Sequence, residues 1–200
     1  MKLKVGLDID GVVSDSFPVF LKELNRYYGK DVKEITNYDM SGAFGVDWDD
    51  MSRFFCDHME FLFSAPKPMK GAVEGINCLL EAGHEIIYVT ARSCGAEEKV
   101  TYRWFKNNNI YMKKAYFTGG ATKKEVVREN AIDVFVDDVL TNAEEIASLG
   151  VPVLLMDSPY NQGELPQGVI RCYSWDDILW NIDEMLRSRS VKSISRSSCQ

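Results

Sequence analysis

Apolar positions along the chain fall into two rhythms that replace one another. Over 4–13 (KVGLDIDGVV) an apolar run is cut by two aspartates and turns at Gly11, which predicts a buried strand running into a loop. Over 16–28, Phe17, Phe20, Leu21, Leu24 and Tyr28 recur at helical spacing, with Ser16 placed as cap, Pro18 in the first turn and Gly29 as the stop. Residues 31–65 show no strand pattern but a dense set of large side chains, among them Tyr38, Phe44, Trp48, Phe54, Phe61 and Phe63. Within it, Asp47-Trp48-Asp49-Asp50 predicts a helix start, because carboxylates are favoured at the positive end of the helix dipole. Ala65-Pro66-Lys67-Pro68 predicts an extended hinge. Beyond it the pattern alternates: helix 72–82 closed by Gly83, strand 85–89, helix 96–107, strand 114–117, helix 122–130, strand 133–136. Helix 141–149, strand 151–156, strand 169–172 and helix 175–187 follow.

Short apolar runs alternating with helices predict an α/β fold, a three-layer Rossmann-like, mainly parallel sheet, with a small helical insertion after the first strand. The core comprises 1–15 and 69–187 and the insertion 16–68. Residues 188–200, with six serines and three basic residues, cannot bury enough surface to offset their ordering entropy and are expected to form a flexible tail. Ligands of such sheets bind beyond the carboxyl ends of the strands. The polar clusters Asp8/Asp10, Thr90, Thr118-Gly119-Gly120 and Asp137/Asp138 all lie at such ends.

Charge and cysteine content narrow the function classes. A net charge of −7 disfavours a general nucleic-acid binder, which needs a basic face, but not a small phosphorylated ligand. Five scattered cysteines without a C-x-x-C pair fit reduced thiols, not a disulfide framework or a zinc site. His84-Glu85 begins a zinc-protease motif, but Tyr88 stands where the second histidine is needed. No apolar run reaches the roughly 18 residues of a membrane span, and the N-terminus, leading straight into the first strand, does not read as a signal peptide. The expected location is cytoplasmic.

Side chains alternate along a strand, so Asp8 and Asp10 are expected on one side, close enough to repel unless a cation or shared proton relieves them. Phosphate-loop and dinucleotide glycine fingerprints are absent, and the Asp-x-Asp spacing with an insertion behind it does not fit a receiver-type signalling module. Taken in order, DIDGV at 8–12, VTAR at 89–92, a lysine at 123 or 124 and VDD at 136–138 resemble the four motifs of the haloacid dehalogenase (HAD) superfamily of phosphatases. The insertion, with Asp15, the 61–74 stretch and Ser174-Trp175-Asp176-Asp177, is similar to the cap of the 5′(3′)-deoxyribonucleotidase branch.

This resemblance implies a Mg²⁺-dependent phosphoric monoester hydrolase that forms an aspartyl-phosphate. Its expected substrates are (deoxy)nucleoside monophosphates; the alternative is a sugar phosphate or another small phosphorylated metabolite. Asp8 is the expected nucleophile and Asp10 the acid/base. Thr90 is expected to hold a phosphoryl oxygen, helped by amides at the following helix start, and Lys123, favoured over Lys124, to offset charge. Metal ligands are expected from Asp8, Asp10 (through its carbonyl) and Asp137, with Asp138 as second choice. Arg92, beside Ala91, either steadies substrate or pairs with the cap; Ala91-Arg92 departs from the mammalian enzymes, so nucleoside preference does not carry over. The expected partner is a small nucleotide, with no nucleic acid or membrane, and the chain a monomer or homodimer.

Overall fold

Val134, Phe135 and Val136 in one strand and Val153, Leu154 and Leu155 in the next are all buried, as they must be when helices cover both faces of a sheet. A computed structural model of the chain describes residues 2–197, with side chains through 188. Strands β1 (Lys4–Leu7), β2 (Glu85–Thr90), β3 (Ala115–Phe117), β4 (Val134–Asp137), β5 (Val153–Met156) and β6 (Val169–Cys172) form a six-stranded sheet. Its order is β3-β2-β1-β4-β5-β6, and every neighbouring pair is parallel. The chain builds outward from β1 to β3, then returns to lay β4 against the other side of β1. The order therefore reverses between β1 and β4, and the crevice beyond their carboxyl ends is where this architecture binds ligands.

Period-two alternation sorts the strands' side chains onto two faces. On one face Tyr88, Val134, Val136 and Leu154 meet α4 (Ala72–Glu81), α5 (Ala96–Asn107) and α8 (Trp175–Ser197) through Ile76, Trp104, Trp175 and Ile178. On the other, Ile87, Val89, Phe135 and Val153 meet α6 (Lys124–Glu129) and α7 (Leu140–Ala147) through Val127, Ala143 and Ile146. Close approach of α8 to α4 depends on Gly75: a Cβ there would lie 2.4 Å from the Trp175 ring. Trp175 in turn donates from Nε1 to the carbonyl of Val12 at 2.9 Å, pinning the turn behind β1.

Helices α1 (Phe17–Tyr28), α2 (Ser41–Phe44) and α3 (Trp48–Ser64) have a core of their own, in which Phe20, Leu24, Phe44, Met51, Phe54 and Phe63 pack together with Val100 of α5. Asp47 caps α3, accepting from the Asp50 amide at 2.8 Å, and Gly29 ends α1 in the left-handed region at φ 61°. The two connections to this helical unit run side by side. Asp15 N donates to Lys67 O at 2.9 Å, and Met69 N to Val13 O at 2.8 Å.

Several expectations are revised. Ser16 precedes α1 but gives no side-chain cap, because its hydroxyl is engaged elsewhere. Helix α6 is shorter than 122–130, and a 3₁₀ turn at Pro159–Asn161 was not expected. Helix α8 extends beyond 187 to Ser197; of the tail expected over 188–200, the side chains from 189 on and residues 198–200 altogether lie outside the described residues. The buried His84, whose zinc-protease motif the sequence already leaves incomplete, accepts at Nδ1 from the Leu3 amide at 3.0 Å.

Candidate active site

Strand β1 stops at Leu7, and the chain wraps around the Ile9 carbonyl, which accepts from the amides of Val13 at 2.9 Å and Ser14 at 2.7 Å. Asp8 and Asp10 thus sit on a turn and not on one face of a strand, and each carboxylate has its own cation. Lys123, just before α6 and 3% exposed, places Nζ 2.6 Å from Asp8 Oδ2 and 2.8 Å from Asp137 Oδ2. Lys124, one residue on, stays half-buried, with its amide bonded to Thr122 Oγ1 at 3.2 Å. Asp8 Oδ1 accepts from the Ile9 amide at 2.7 Å. Burial raises the Asp8 pKa to about 7; Lys123 pulls it down, and Asp137 and Asp10 add to the rise. For Lys123, burial is outweighed by the two carboxylates, and its pKa lies above the ordinary range.

Asp10 faces a different set of partners. Arg92 grips it as a fork, Nε to Oδ2 at 2.9 Å and Nη2 to Oδ1 at 2.6 Å, while the Ser16 hydroxyl donates to Oδ1 at 2.5 Å. Burial pushes the Asp10 pKa up, but Arg92 and then Ser16 outweigh it, and the net shift is downward. Arg92 is itself buried, its Nη1 on Thr101 of α5 at 2.9 Å and its guanidinium 4.1 Å from the Phe63 ring centroid at the end of α3. Arg92 therefore contacts both the site and the helical unit.

Thr90 closes β2, buried, with Oγ1 accepting from the Arg92 amide at 3.2 Å, so its own proton is free to be donated. The Ala91 and Arg92 carbonyls accept from Gly120 and Gly119, which ties the β2 and β3 loops together. The helix start behind this loop has lost amides that a phosphate could use. Ser93 N is taken by Glu97 at 2.5 Å and Gly95 N by Glu98 at 3.2 Å.

Asp137 and Asp138 end β4 in different environments. Asp137 is saturated: Lys123 holds one oxygen, the Val139 amide the other at 2.9 Å, and Asn142 Nδ2 reaches both at 3.2 and 3.3 Å. Asp138 Oδ2 accepts from the Tyr160 hydroxyl, and Oδ1 is buried without a hydrogen-bond partner among the described residues. Asp8, Asp137 and Asp138 each offer an oxygen within 4.8 Å of the others. Three buried carboxylates with one lysine and an orphaned oxygen fit a hard divalent cation, which favours oxygen ligands. The pKa of Asp138 is raised by burial first and then by Asp8 and Asp137, which is the same excess of negative charge seen from the proton's side.

Sequence reasoning missed Ser16, Thr101, Asn142, Tyr160 and Asn161 as contributors. Asn161 lies in the 3₁₀ turn, where Ser158-Pro159 followed by a polar residue at 161 has the spacing of a capping box with proline in the first turn. That signal was present in the sequence. The Tyr160 ring stacks against Phe17 with centroids 4.5 Å apart and lies 6.0 Å from that of Tyr38. A cavity of about 330 Å³ opens beside Gly11, Phe17 and Tyr160.

A family model described as 5′ nucleotidase, deoxy (pyrimidine), cytosolic type C protein matches residues 2–190. Among curated relatives, BH1399 of Halalkalibacterium halodurans, a nucleotidase by assignment, is 33% identical over 92% of this chain and 94% of its own. Nucleotidase CA_C3379 of Clostridium acetobutylicum is 27% identical over 92% and 95%. Among solved structures, the haloacid dehalogenase-like hydrolase SP0104 of Streptococcus pneumoniae has a TM-score of 0.63 at 11% identity, covering 90% of this chain and 98% of its own. The D,D-heptose 1,7-bisphosphate phosphatase of B. bronchiseptica, complexed with magnesium and phosphate, has a TM-score of 0.54 at 14% identity, covering 92% and 99%. At these identities the structures establish the fold alone.

Proposed function

The chain belongs to the cytosolic type C 5′-nucleotidase family within the HAD-type hydrolases, and from that premise we propose that it is a Mg²⁺-dependent hydrolase of (deoxy)nucleoside monophosphates working through an aspartyl-phosphate. The observation that carries this reading is the buried Asp8–Asp137–Asp138 cluster, answered by Lys123 and left with one free oxygen at the switch point of the sheet. Asp8 is the nucleophile. Its attack on phosphorus breaks the ester bond, and the leaving alkoxide takes a proton from Asp10, which must enter this step protonated against the downward pull of Arg92 and Ser16. Asp10 then removes a proton from the water that splits the acyl phosphate and regenerates Asp8. Lys123 offsets the charge that would otherwise keep Asp8 protonated, and Thr90 donates its hydroxyl to a phosphoryl oxygen.

A Mg²⁺ ion there would be held by Asp8, by the Asp10 carbonyl and by the unpartnered oxygen of Asp138, with Asp137, saturated by Lys123, Val139 and Asn142, as the second choice. A bound Mg²⁺ lowers the local negative charge and polarises phosphoryl oxygens. The α1–α3 unit, residues 16–68, acts as the cap over this crevice, and Arg92 joins it to Asp10.

The deciding assay compares 5′- and 3′-nucleoside monophosphates, deoxy and ribo, with sugar phosphates, with and without EDTA. Nucleotides are expected to lead in kcat/KM, with activity abolished by EDTA and restored by Mg²⁺. Sugar phosphates ahead by about two decades, or about 2.7 kcal/mol of transition-state binding, would remove the nucleotidase reading. Hydrolysis surviving EDTA would remove the metal.

A further inference from the structure

Tyr160 lies where the sheet, the carboxylate cluster and the helical unit meet, and the family motifs read from the sequence assign it no role. We infer that Tyr160 is a positioning residue: its hydroxyl fixes the rotation of the Asp138 carboxylate so that the free oxygen is presented to the cation, and its ring braces that arrangement against α1. This rests on the cation site proposed above and adds a residue to it.

The turn that carries Tyr160 is anchored to Asp138 by backbone as well as side chain. Asn161, 1% exposed, donates from Nδ2 to the carbonyls of Asp138 and Met156, both at 2.7 Å. Its Oδ1 accepts from Arg171 Nη1 at 2.7 Å and from the Ser158 amide at 3.2 Å. The Asp138 main chain and the turn that carries Tyr160 are therefore tied together through Asn161.

From that platform the Tyr160 hydroxyl donates to Asp138 Oδ2. A carboxylate turns about its last bond, and a single donor on one oxygen sets where the other points. Here the other is Oδ1, buried and without a partner. Groups that orient a ligand in this way are worth about 10–100-fold in metal affinity where they have been removed. Gly11 supplies the room: it sits at φ 77°, and a Cβ there would lie 2.1 Å from Asp138 Oδ2 and 3.0 Å from the Tyr160 oxygen. The far side of the ring is held by Phe17 at 4.5 Å between centroids.

The test uses the full chain stripped with EDTA and titrated with Mn²⁺, free ion being read by electron paramagnetic resonance. Tyr160→Phe keeps the ring and removes the hydroxyl. It is expected to bind Mn²⁺ about 10-fold more weakly while the metal-free melting temperature stays close to that of the wild type. Its nucleotidase activity at limiting Mg²⁺ should fall, and excess Mg²⁺ should restore kcat to within about twofold, a rescue that general structural damage would not allow. Asp138→Asn serves as the reference for loss of the ligand itself and should bind Mn²⁺ more weakly still. Wild-type Mn²⁺ affinity in Tyr160→Phe would overturn the inference and leave the proposed cation site standing. Absence of Mn²⁺ binding by the wild type would overturn both.

Discussion

A buried carboxylate persists only if its charge is answered, and the two aspartates of the Asp-x-Asp turn are answered differently. Asp8 meets an ammonium that it shares with Asp137, and Asp10 meets a guanidinium fork and a hydroxyl. Asp8→Asn preserves shape and removes the charge proposed to attack. Phosphate release from a generic aryl phosphate is expected to fall by about 10³-fold or more, checked by single-turnover kinetics on pure protein; near-wild-type turnover would displace Asp8 from its role. Lys123→Ala leaves Asp8 and Asp137 facing one another in the interior. Urea unfolding should show a loss of about 3–5 kcal/mol at neutral pH, the range found when one partner of a buried ion pair is removed. At this scale the sequence offered residue types but not pairings. Lys123 and Lys124 are equivalent as letters, and only the placement of the start of α6 beside Asp8 and Asp137 sends one inward and leaves the other half-buried. Ser16 shows the same limit: its local pattern marks a cap, yet its hydroxyl goes to Asp10.

Most elements were legible because each carries its period in its own residues. The strands are short, mostly apolar runs, and helices such as α1 and α4 repeat apolar positions with a glycine at or just past the stop. The 3₁₀ turn at Pro159–Asn161 escaped because three residues show no period, and its cue lies in side chains that cap it. Helix α8 matters beyond its own packing, since Trp175 is buried against Gly75 of α4 and bonds the turn that follows Asp10. Trp175→Ala should lower stability by about 3–5 kcal/mol in urea titration, from a large cavity plus an unanswered carbonyl. A loss under about 1 kcal/mol would mean that the helix is not what holds this face.

For the whole molecule, the concentration of carboxylates sets how stability depends on pH. The folded-state pKa of Asp8, about 7, lies above its ordinary value of 3.8. The native state thus binds that proton more tightly, and the stability it contributes is present at low pH and lost as pH rises through about 7. Asp138 shifts in the same direction. Asp10 shifts the other way, and its contribution is lost only on acidification below the ordinary carboxylate range. The melting temperature of EDTA-treated protein should therefore fall as pH rises from about 4 to about 7, and saturating Mg²⁺ should flatten that fall. A rise over that interval without metal would contradict the burial assigned to Asp8 and Asp138. No helix among the described residues is long and apolar enough to cross a membrane.

The sequence by itself determined the α/β class, the run of elements and the residue types that gather at the strand ends, because hydrophobic period and motif spacing are properties of neighbours along the chain. It carried Asp8, Asp10, Thr90, Arg92, Asp137 and Asp138 to the ends of strands. The tertiary structure decided strand order, the reversal between β1 and β4, and which donor meets which oxygen. Those depend on groups far apart in sequence, as with Arg92 and Asp10, Lys123 and Asp8, or Tyr160 and Asp138. Their meeting is set by how helices cover two faces of one sheet. The Asp-x-Asp turn at its centre is thus less a pair than two separate posts, one shared with Lys123 and one gripped by Arg92.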